Sequence, residues 1–109
     1  MDINQKLKTS LLLEIYGKLL TDKQYNYVDF FVNDMSFSEI AENYNISSQA
    51  AFDLVSRTIK VLEEYEDKLQ LLNKFNNIKE QINCIVNEIQ NNADKDGIIK
   101  KLNEILDIL

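Results

Sequence analysis

The sequence predicts an all-α fold, and three observations lead to that prediction. The 109 residues include no proline and only two glycines, so turn-forming residues are scarce and helix formers dominate. Apolar residues recur at intervals of three and four along most of the chain. Two short segments match the Ser/Thr-x-x-Glu/Gln pattern that opens many helices. We therefore expect a three- or four-helix head containing a helix-turn-helix with a long recognition helix, followed by a C-terminal helical hairpin.

The first helix is predicted from Ile3 to Leu20, and its apolar stripe includes Leu7, Leu11, Leu12, Leu13, Ile15, Tyr16, Leu19 and Leu20. It should end before Thr21 and Gln24, which form the first capping box. The second helix should run from Asp22 to about Asn33. Its spacing predicts Tyr25, Val28, Phe31 and Val32 on the inner face, with Tyr27, Asp29 and Phe30 at the flank.

A second capping box, Ser36 with Glu39, predicts the start of a short third helix. Ala41 is small at the position where the next helix must approach closely. Asn45 tolerates left-handed backbone angles and can supply the turn. Ile46 is then expected in the core, and Ser47 is expected to cap the fourth helix.

The fourth helix is predicted to be long, because apolar or small residues alternate at intervals of four and three from Ser48 onward. These residues are Ala51, Val55, Thr58, Leu62, Tyr65, Leu69 and Leu72. We expect this helix to reach Lys74 and to break at Asn76-Asn77, although a continuous helix also fits the pattern. Two further stripes then predict a helical hairpin: Phe75, Ile78, Ile82, Ile85 and Ile89, and Ile98, Leu102, Ile105 and Leu109. The head would cover residues 1–74 and the extension residues 75–109.

The segment from Ser36 to Leu62 has the pattern of a nucleic-acid-binding helix-turn-helix, in which the second helix carries the contact residues. Helical geometry then predicts which side chains point outward. The candidate contact residues are Ser47, Ser48, Gln49, Phe52, Asp53, Ser56, Arg57 and Lys60.

Catalysis, metal binding and cofactor binding are not expected. The chain has no histidine and one cysteine, and its two glycines stand apart, so the usual zinc ligands, general bases and phosphate loops are missing. Cys84, between Ile82 and Ile85, is expected to be buried, with redox sensing as the alternative. No signal peptide or membrane-spanning run is recognised, which favours a cytoplasmic protein.

Four runs of the chain resemble the YlxM family of small bacterial helix-turn-helix proteins. They are LLTDKQ at 19–24, SFSEIAE at 36–42, SSQAAFD at 47–53 and LEEYEDKL at 62–69. The resemblance implies a head similar to the promoter-reading domain of bacterial sigma factors, with a DNA-reading second helix and no catalytic residues. Family genes usually lie beside those of the signal recognition particle, which implies by association a regulatory role in that pathway.

The charge of the chain does not decide which partner it binds. The net charge is −6, which is unlike the basic footprint of most nucleic-acid binders. Ser48, Phe52 and Ser56 also stand where the family commonly has Arg, Tyr and Lys, which weakens attraction to phosphates. Three functions remain: a DNA-binding regulator, an accessory that contacts protein or RNA of the signal recognition particle, and a structural remnant that binds no nucleic acid. In the third, Phe52 and Tyr27 belong to an oligomer interface. A homodimer is expected, paired through the first helix or the C-terminal hairpin, because a chain this small cannot cover all its apolar stripes.

Overall fold

The computed structural model describes residues 3–109, which form six α-helices and one 3-10 turn, with no strand among those residues. The helices are α1 (Ile3–Tyr16), α2 (Asp22–Val32), α3 (Phe37–Tyr44), α4 (Ser48–Leu69), α5 (Leu71–Gln90) and α6 (Lys95–Ile108). The chain divides into two compact units, Met1–Gln70 and Leu71–Leu109. The predicted all-α fold is confirmed, with the helix-turn-helix in the first unit and the hairpin in the second.

The first helix is shorter than predicted. It ends at Tyr16, and Gly17 begins a 3-10 turn that reaches Leu19. The Tyr25 ring packs directly on this glycine. A Cβ at position 17 would lie 2.8 Å from Cε2 of Tyr25, a distance at which something must shift.

The buried sides of α1 and α2 differ in part from the predicted ones. Leu12, Leu13 and Tyr16 are buried, but Leu7 and Leu11 are exposed. On α2, Tyr25 is exposed and Tyr27 is buried, so their predicted positions are wrong. Tyr27 is buried because its ring packs edge-on against Tyr44 of α3, with ring centroids 4.6 Å apart, whereas the Tyr25 ring lies beside Gly17.

Both predicted helix starts are confirmed. Thr21 and Gln24 form a reciprocal capping box: the Gln24 amide donates to Thr21 Oγ1 at 3.2 Å, and the Thr21 amide donates to Gln24 Oε1 at 3.0 Å. At α3 the Glu39 amide donates to Ser36 Oγ at 3.1 Å. The Glu39 carboxylate, however, accepts from the Ser36 hydroxyl at 3.0 Å and not from its backbone amide.

The turn between α3 and α4 has the predicted chemistry. Asn45 has φ 54° and ψ 47°, in the left-handed region, and the amide of Ile46 donates to the carbonyl of Ala41 at 3.0 Å. The Ser47 hydroxyl accepts from the Ala50 amide at 3.1 Å. Ile46 is half-buried, so it only borders the core. Ala41 is 4% exposed, which confirms a small buried residue on α3 where that helix packs against α4.

The end of α4 was predicted wrongly. The helix ends at Leu69, because Gln70 adopts φ 55° and its side-chain amide donates to the carbonyl of Glu66 at 2.9 Å. This bond satisfies a carbonyl at the helix terminus. The left-handed conformation of Gln70 is the one that glycine usually adopts at a helix end. The predicted break at Asn76-Asn77 lies inside α5. The boundary between the two units accordingly follows Gln70 and not residue 74.

The core of the first unit lies between α1, α2, α3 and α4. Within residues 3–70 its buried apolar side chains are Leu12, Leu13, Tyr16, Tyr27, Val28, Phe31, Ile40, Ala41, Ala51, Val55, Ile59 and Leu62. The Tyr16 hydroxyl donates to Glu66 at 2.7 Å, which ties α1 to the second half of α4. At the other end of α1, Lys6 pairs with Asp34 at 2.9 Å and lies over the Phe31 ring.

The second unit is the predicted hairpin. Its two helices pack through Ile85 and Ile105, and Asn92, with φ 56°, ends α5 in a left-handed turn. The predicted burial of Cys84 is wrong, because the thiol is exposed. Cys84 lies beside Lys101, whose Nζ donates to Sγ at 3.4 Å. The pKa of Lys101 is raised, most strongly by its hydrogen bond to Glu88 and next by its hydrogen bond to Cys84.

Candidate nucleic-acid interface

The first half of α4 presents most of the predicted contact residues to solvent. Ser47, Ser48, Gln49, Phe52, Arg57 and Lys60 are exposed, whereas Asp53 and Ser56 are half-buried. All of them lie on α4 or its cap, so one short helical segment carries the whole set. We call the exposed residues, together with Asp53, the α4 face.

The position of this segment relative to α3 is fixed by several contacts. Besides the Asn45 turn, the hydroxyls of Ser38 and Ser48 lie 3.3 Å apart, which joins the first turns of the two helices. Ala41 and Ala51 are both buried, and α3 and α4 pack together. Small side chains let the helix axes approach closely. Ser38 was not among the predicted residues, and only its place in the first turn of α3 could have suggested it.

Gln49 and Asp53 act as a pair. The Gln49 amide nitrogen donates to Asp53 Oδ1 at 3.1 Å, the (i, i+4) contact that helix geometry allows. An amide group has two N–H donors and one acceptor oxygen. After the bond to Asp53, Gln49 therefore keeps one donor and its oxygen, which is the combination that reads the N7 and N6 edge of adenine. The Gln-x-x-x-Asp spacing in the sequence could have predicted this pair.

Phe52 is exposed but not isolated. It is 42% exposed, and its ring meets Phe37 edge-on with centroids 5.2 Å apart. Phe37 in turn stacks on the buried Phe31 at 5.7 Å. The three rings form an aromatic ladder, Phe31–Phe37–Phe52, from the core to the α4 face. Nothing in the sequence spacing indicated the contact between Phe37 and Phe52, since it depends on how α3 crosses α4.

Ser56 does not present its hydroxyl to solvent. Its Oγ is buried and has no hydrogen-bond partner among residues 3–109. Ser56 lines a shallow depression of about 320 Å³ together with Gln5, Ile59, Lys60 and Glu63. The predicted outward position of Ser56 is therefore wrong, because α1 lies close to that side of α4.

The charges around the α4 face are nearly balanced. Between Ser48 and Lys60 there are two cations, Arg57 and Lys60, and one anion, Asp53. Arg57 and Lys60 are three residues apart, so they lie on one side of the helix. The neighbouring helix α3 carries two exposed carboxylates, Glu39 and Glu42. Any attraction to phosphate is therefore local to the Arg57–Lys60 side.

Among residues 3–109 there is no group of three or more Cys, Asp or Glu side chains arranged to hold a metal ion. Within the same range, every helix is too short or too polar to cross a lipid bilayer.

Comparisons with known proteins also point to a helix-turn-helix protein. A family described as "helix-turn-helix protein, YlxM / p13 like", UPF0122, matches residues 3–105. A UPF0122 protein of Lactococcus lactis subsp. cremoris (strain MG1363) is 43% identical over 110 residues, covering 99% of this chain and 96% of that relative. UPF0122 protein YlxM of Bacillus subtilis (strain 168) is 37% identical over 110 residues, with 100% and 99% covered. A UPF0122 protein of Clostridium kluyveri is 42% identical over 88 residues, with 80% and 79% covered.

Proposed function

Because the chain belongs to the UPF0122 family of YlxM / p13 like helix-turn-helix proteins, we propose that it is a regulatory protein that binds DNA through the α4 face. The observation that carries the proposal is an exposed first half of α4, held on α3 by a left-handed Asn45 turn and the Ser38–Ser48 contact. A helix presented in this way can enter the major groove. As a bacterial DNA-binding regulator, the protein would act in the cytoplasm.

The residues of the α4 face divide by role. Gln49, held by Asp53, is suited to reading adenine, and Arg57 with Lys60 is suited to binding phosphates. The Ser47 and Ser48 hydroxyls lie at the helix N-terminus, where phosphate oxygens are also commonly bound. Because the α4 face has two cations and one carboxylate, we expect each head to bind DNA with modest affinity and to contact a short stretch of the phosphate backbone.

A salt titration tests the DNA proposal. Affinity for a pool of random-sequence duplexes should fall linearly with salt on logarithmic axes, by about one unit of slope for each phosphate contact. Arg57→Ala should weaken binding to all sequences and reduce that slope by about one. Lys68→Ala, which removes an exposed cation from the last turn of the same helix, is the matched control and should leave the slope unchanged. A wild-type slope of zero would contradict the proposal.

Base reading by Gln49 is tested separately. The wild-type protein is first used to select duplexes from a random pool. Gln49→Ala should then reduce the protein's preference for these selected duplexes over random ones by about 1–3 kcal/mol. Equal weakening on selected and random DNA would show that Gln49 reads no base.

A second function is supported by a different observation, the exposed ring of Phe52 within an acidic chain. Aromatic side chains are suited to protein contacts and to stacking on unpaired RNA bases. We propose as the alternative that the α4 face binds protein or RNA of the signal recognition particle. Phe52→Ser should then abolish co-purification of those components, whereas Tyr25→Ser, which removes an exposed ring elsewhere in the first unit, should not. Unchanged recovery with Phe52→Ser would reject this alternative.

For either partner we propose a homodimer. Two copies double the number of cations available to a two-fold target, and the large apolar side chains left exposed in a single chain support self-association.

A further inference from the structure

The hairpin of the second unit exposes a continuous row of large apolar side chains. Eight of them, each between 44% and 81% exposed, are Phe75, Ile82, Val86, Ile89, Ile99, Leu102, Leu106 and Leu109. Only two apolar side chains in this unit, Ile85 and Ile105, are fully buried. The hairpin therefore exposes far more apolar surface than it buries.

The eight side chains lie on one side of the hairpin. At about 100° per residue, the four on α5 fall within an arc of roughly 60°, next to the arc of Ile85 that faces α6. The three on α6, together with Leu109 at its C-terminal cap, fall within an arc of roughly 80°, next to that of Ile105. In each helix the exposed arc follows the buried arc in the same rotational sense. Because the helices are antiparallel, these two displacements point to the same side. We call this surface the hairpin face.

The hairpin face has the size of a specific interface. From the exposed fractions, its apolar area is on the order of 700 Å² per chain. A stable interface of ordinary size buries roughly 800 Å² per partner, whereas the largest apolar patch of a typical monomer is about 300–600 Å².

We propose that the occupant of the hairpin face is the same face of a second copy, so that two hairpins form an antiparallel four-helix bundle. This inference names the surface for the homodimer proposed above. Two helices joined by a short turn cannot enclose a core, and a second hairpin supplies the missing half. A two-fold axis needs a self-complementary patch, and a face of aliphatic side chains with a single aromatic ring meets that condition.

The charge of the unit supports a second copy as the occupant. Leu71–Leu109 contains five Lys and six Asp or Glu, so two copies would meet with almost no net repulsion. The first unit, with seven Lys or Arg against twelve Asp or Glu, is far more acidic. The nearly neutral unit is thus the one that carries the large apolar face, as expected for a surface that pairs with itself.

The polar side of the hairpin provides a reporter. Cys84 lies with Gln81, Lys101 and Glu104 around a depression of about 170 Å³. On α5, Cys84 is about 160° from Ile82 around the helix, which is nearly the opposite side. In the proposed bundle Cys84 therefore stays accessible while Ile82 becomes buried.

Sedimentation of the full-length chain tests the proposal. The wild type should be a dimer at micromolar concentration. Ile82→Lys and Leu106→Lys each place a charge in the hairpin face and should raise the dimer dissociation constant at least 100-fold. Asn87→Lys adds the same charge to an exposed position on the opposite side of α5 and should leave the dissociation constant unchanged.

Two further measurements separate loss of pairing from loss of folding. The wild-type melting temperature should rise with protein concentration, as it does when folding and association are coupled. A dye attached to Cys84 should not reduce dimerisation. A dye attached to the new thiol of the double variant Ile82→Cys, Cys84→Ser should prevent it. A wild-type chain that is monomeric at 100 µM would overturn the proposal. A dimer that persists in both Ile82→Lys and Leu106→Lys would also overturn it.

The outcome is distinguishable from that of the DNA proposal. If the wild type is a dimer that the Lys variants dissociate, the bundle stands even when DNA binding shows no salt dependence. If the chain binds DNA with a salt slope but dimerises through another surface, the DNA proposal stands and the bundle fails.

Discussion

At the scale of single residues, the contact between Gln49 and Asp53 affects both the base discrimination and the DNA affinity proposed for the α4 face. Asp53 orients the Gln49 amide through a 3.1 Å hydrogen bond, but its negative charge also repels phosphate. The same carboxylate therefore favours discrimination between bases and opposes affinity. A substitution that keeps the acceptor oxygen and removes the charge separates the two effects.

Asp53→Asn should increase affinity for random DNA severalfold and keep the discrimination between selected and random duplexes. Asp53→Ala should increase affinity by a similar factor but lose discrimination, because the Gln49 amide is then free to rotate. Both constants can be measured by fluorescence anisotropy at fixed salt. If the two variants discriminate equally well, Asp53 does not position Gln49.

Single residues were predicted well where a local rule decides and poorly where packing decides. Thr21, Ser36 and Ser47 were predicted as caps from their residue types, and each side-chain oxygen accepts a hydrogen bond from the amide three residues ahead. The buried hydroxyl of Ser56 depends on how close α1 comes to α4, which periodicity alone does not give. The exposure of Cys84 likewise follows from which part of a broad apolar stripe meets α6.

At the scale of elements, the sequence predicted the order of the helices and most of their starts. It failed at the end of α4, where Gln70 takes the left-handed conformation that Gly or Asn usually takes. The seven-residue repeat continues through Leu72 and gave no sign of the end. A glutamine that caps its own helix with two side-chain bonds leaves no simple pattern in the sequence.

The crossing of α3 over α4 depends on the small side chain of Ala41. Ala41→Leu should destabilise the first unit by about 1–3 kcal/mol, because the larger side chain forces the helices apart. The change can be measured by urea unfolding followed by circular dichroism. Glu42→Leu, an exposed neighbour on the same helix, is the control and should change stability by less than about 0.5 kcal/mol. Equal effects of the two substitutions would show that the crossing tolerates a larger residue.

At the scale of the whole molecule, the apolar core is concentrated in one unit. Of the fourteen buried apolar residues among residues 3–109, twelve belong to the first unit and two to the second. The fragment 1–70 should therefore fold alone, with a cooperative urea transition and full helicity by circular dichroism. It should also be monomeric, because it lacks the hairpin face. An unfolded fragment would contradict the division into units, and a dimeric fragment would place self-association in the first unit.

The aromatic ladder from Phe31 to Phe52 has a consequence for the thermodynamics of recognition. A phenyl ring braced by a neighbouring ring occupies few rotamers before a partner arrives, so binding removes little of its side-chain entropy. Replacing Phe37 with Leu would leave the Phe52 ring exposed and chemically unchanged yet free to sample other orientations. Calorimetry on that variant would register the lost restraint as a more unfavourable entropy of association, although the substituted residue lies outside the α4 face.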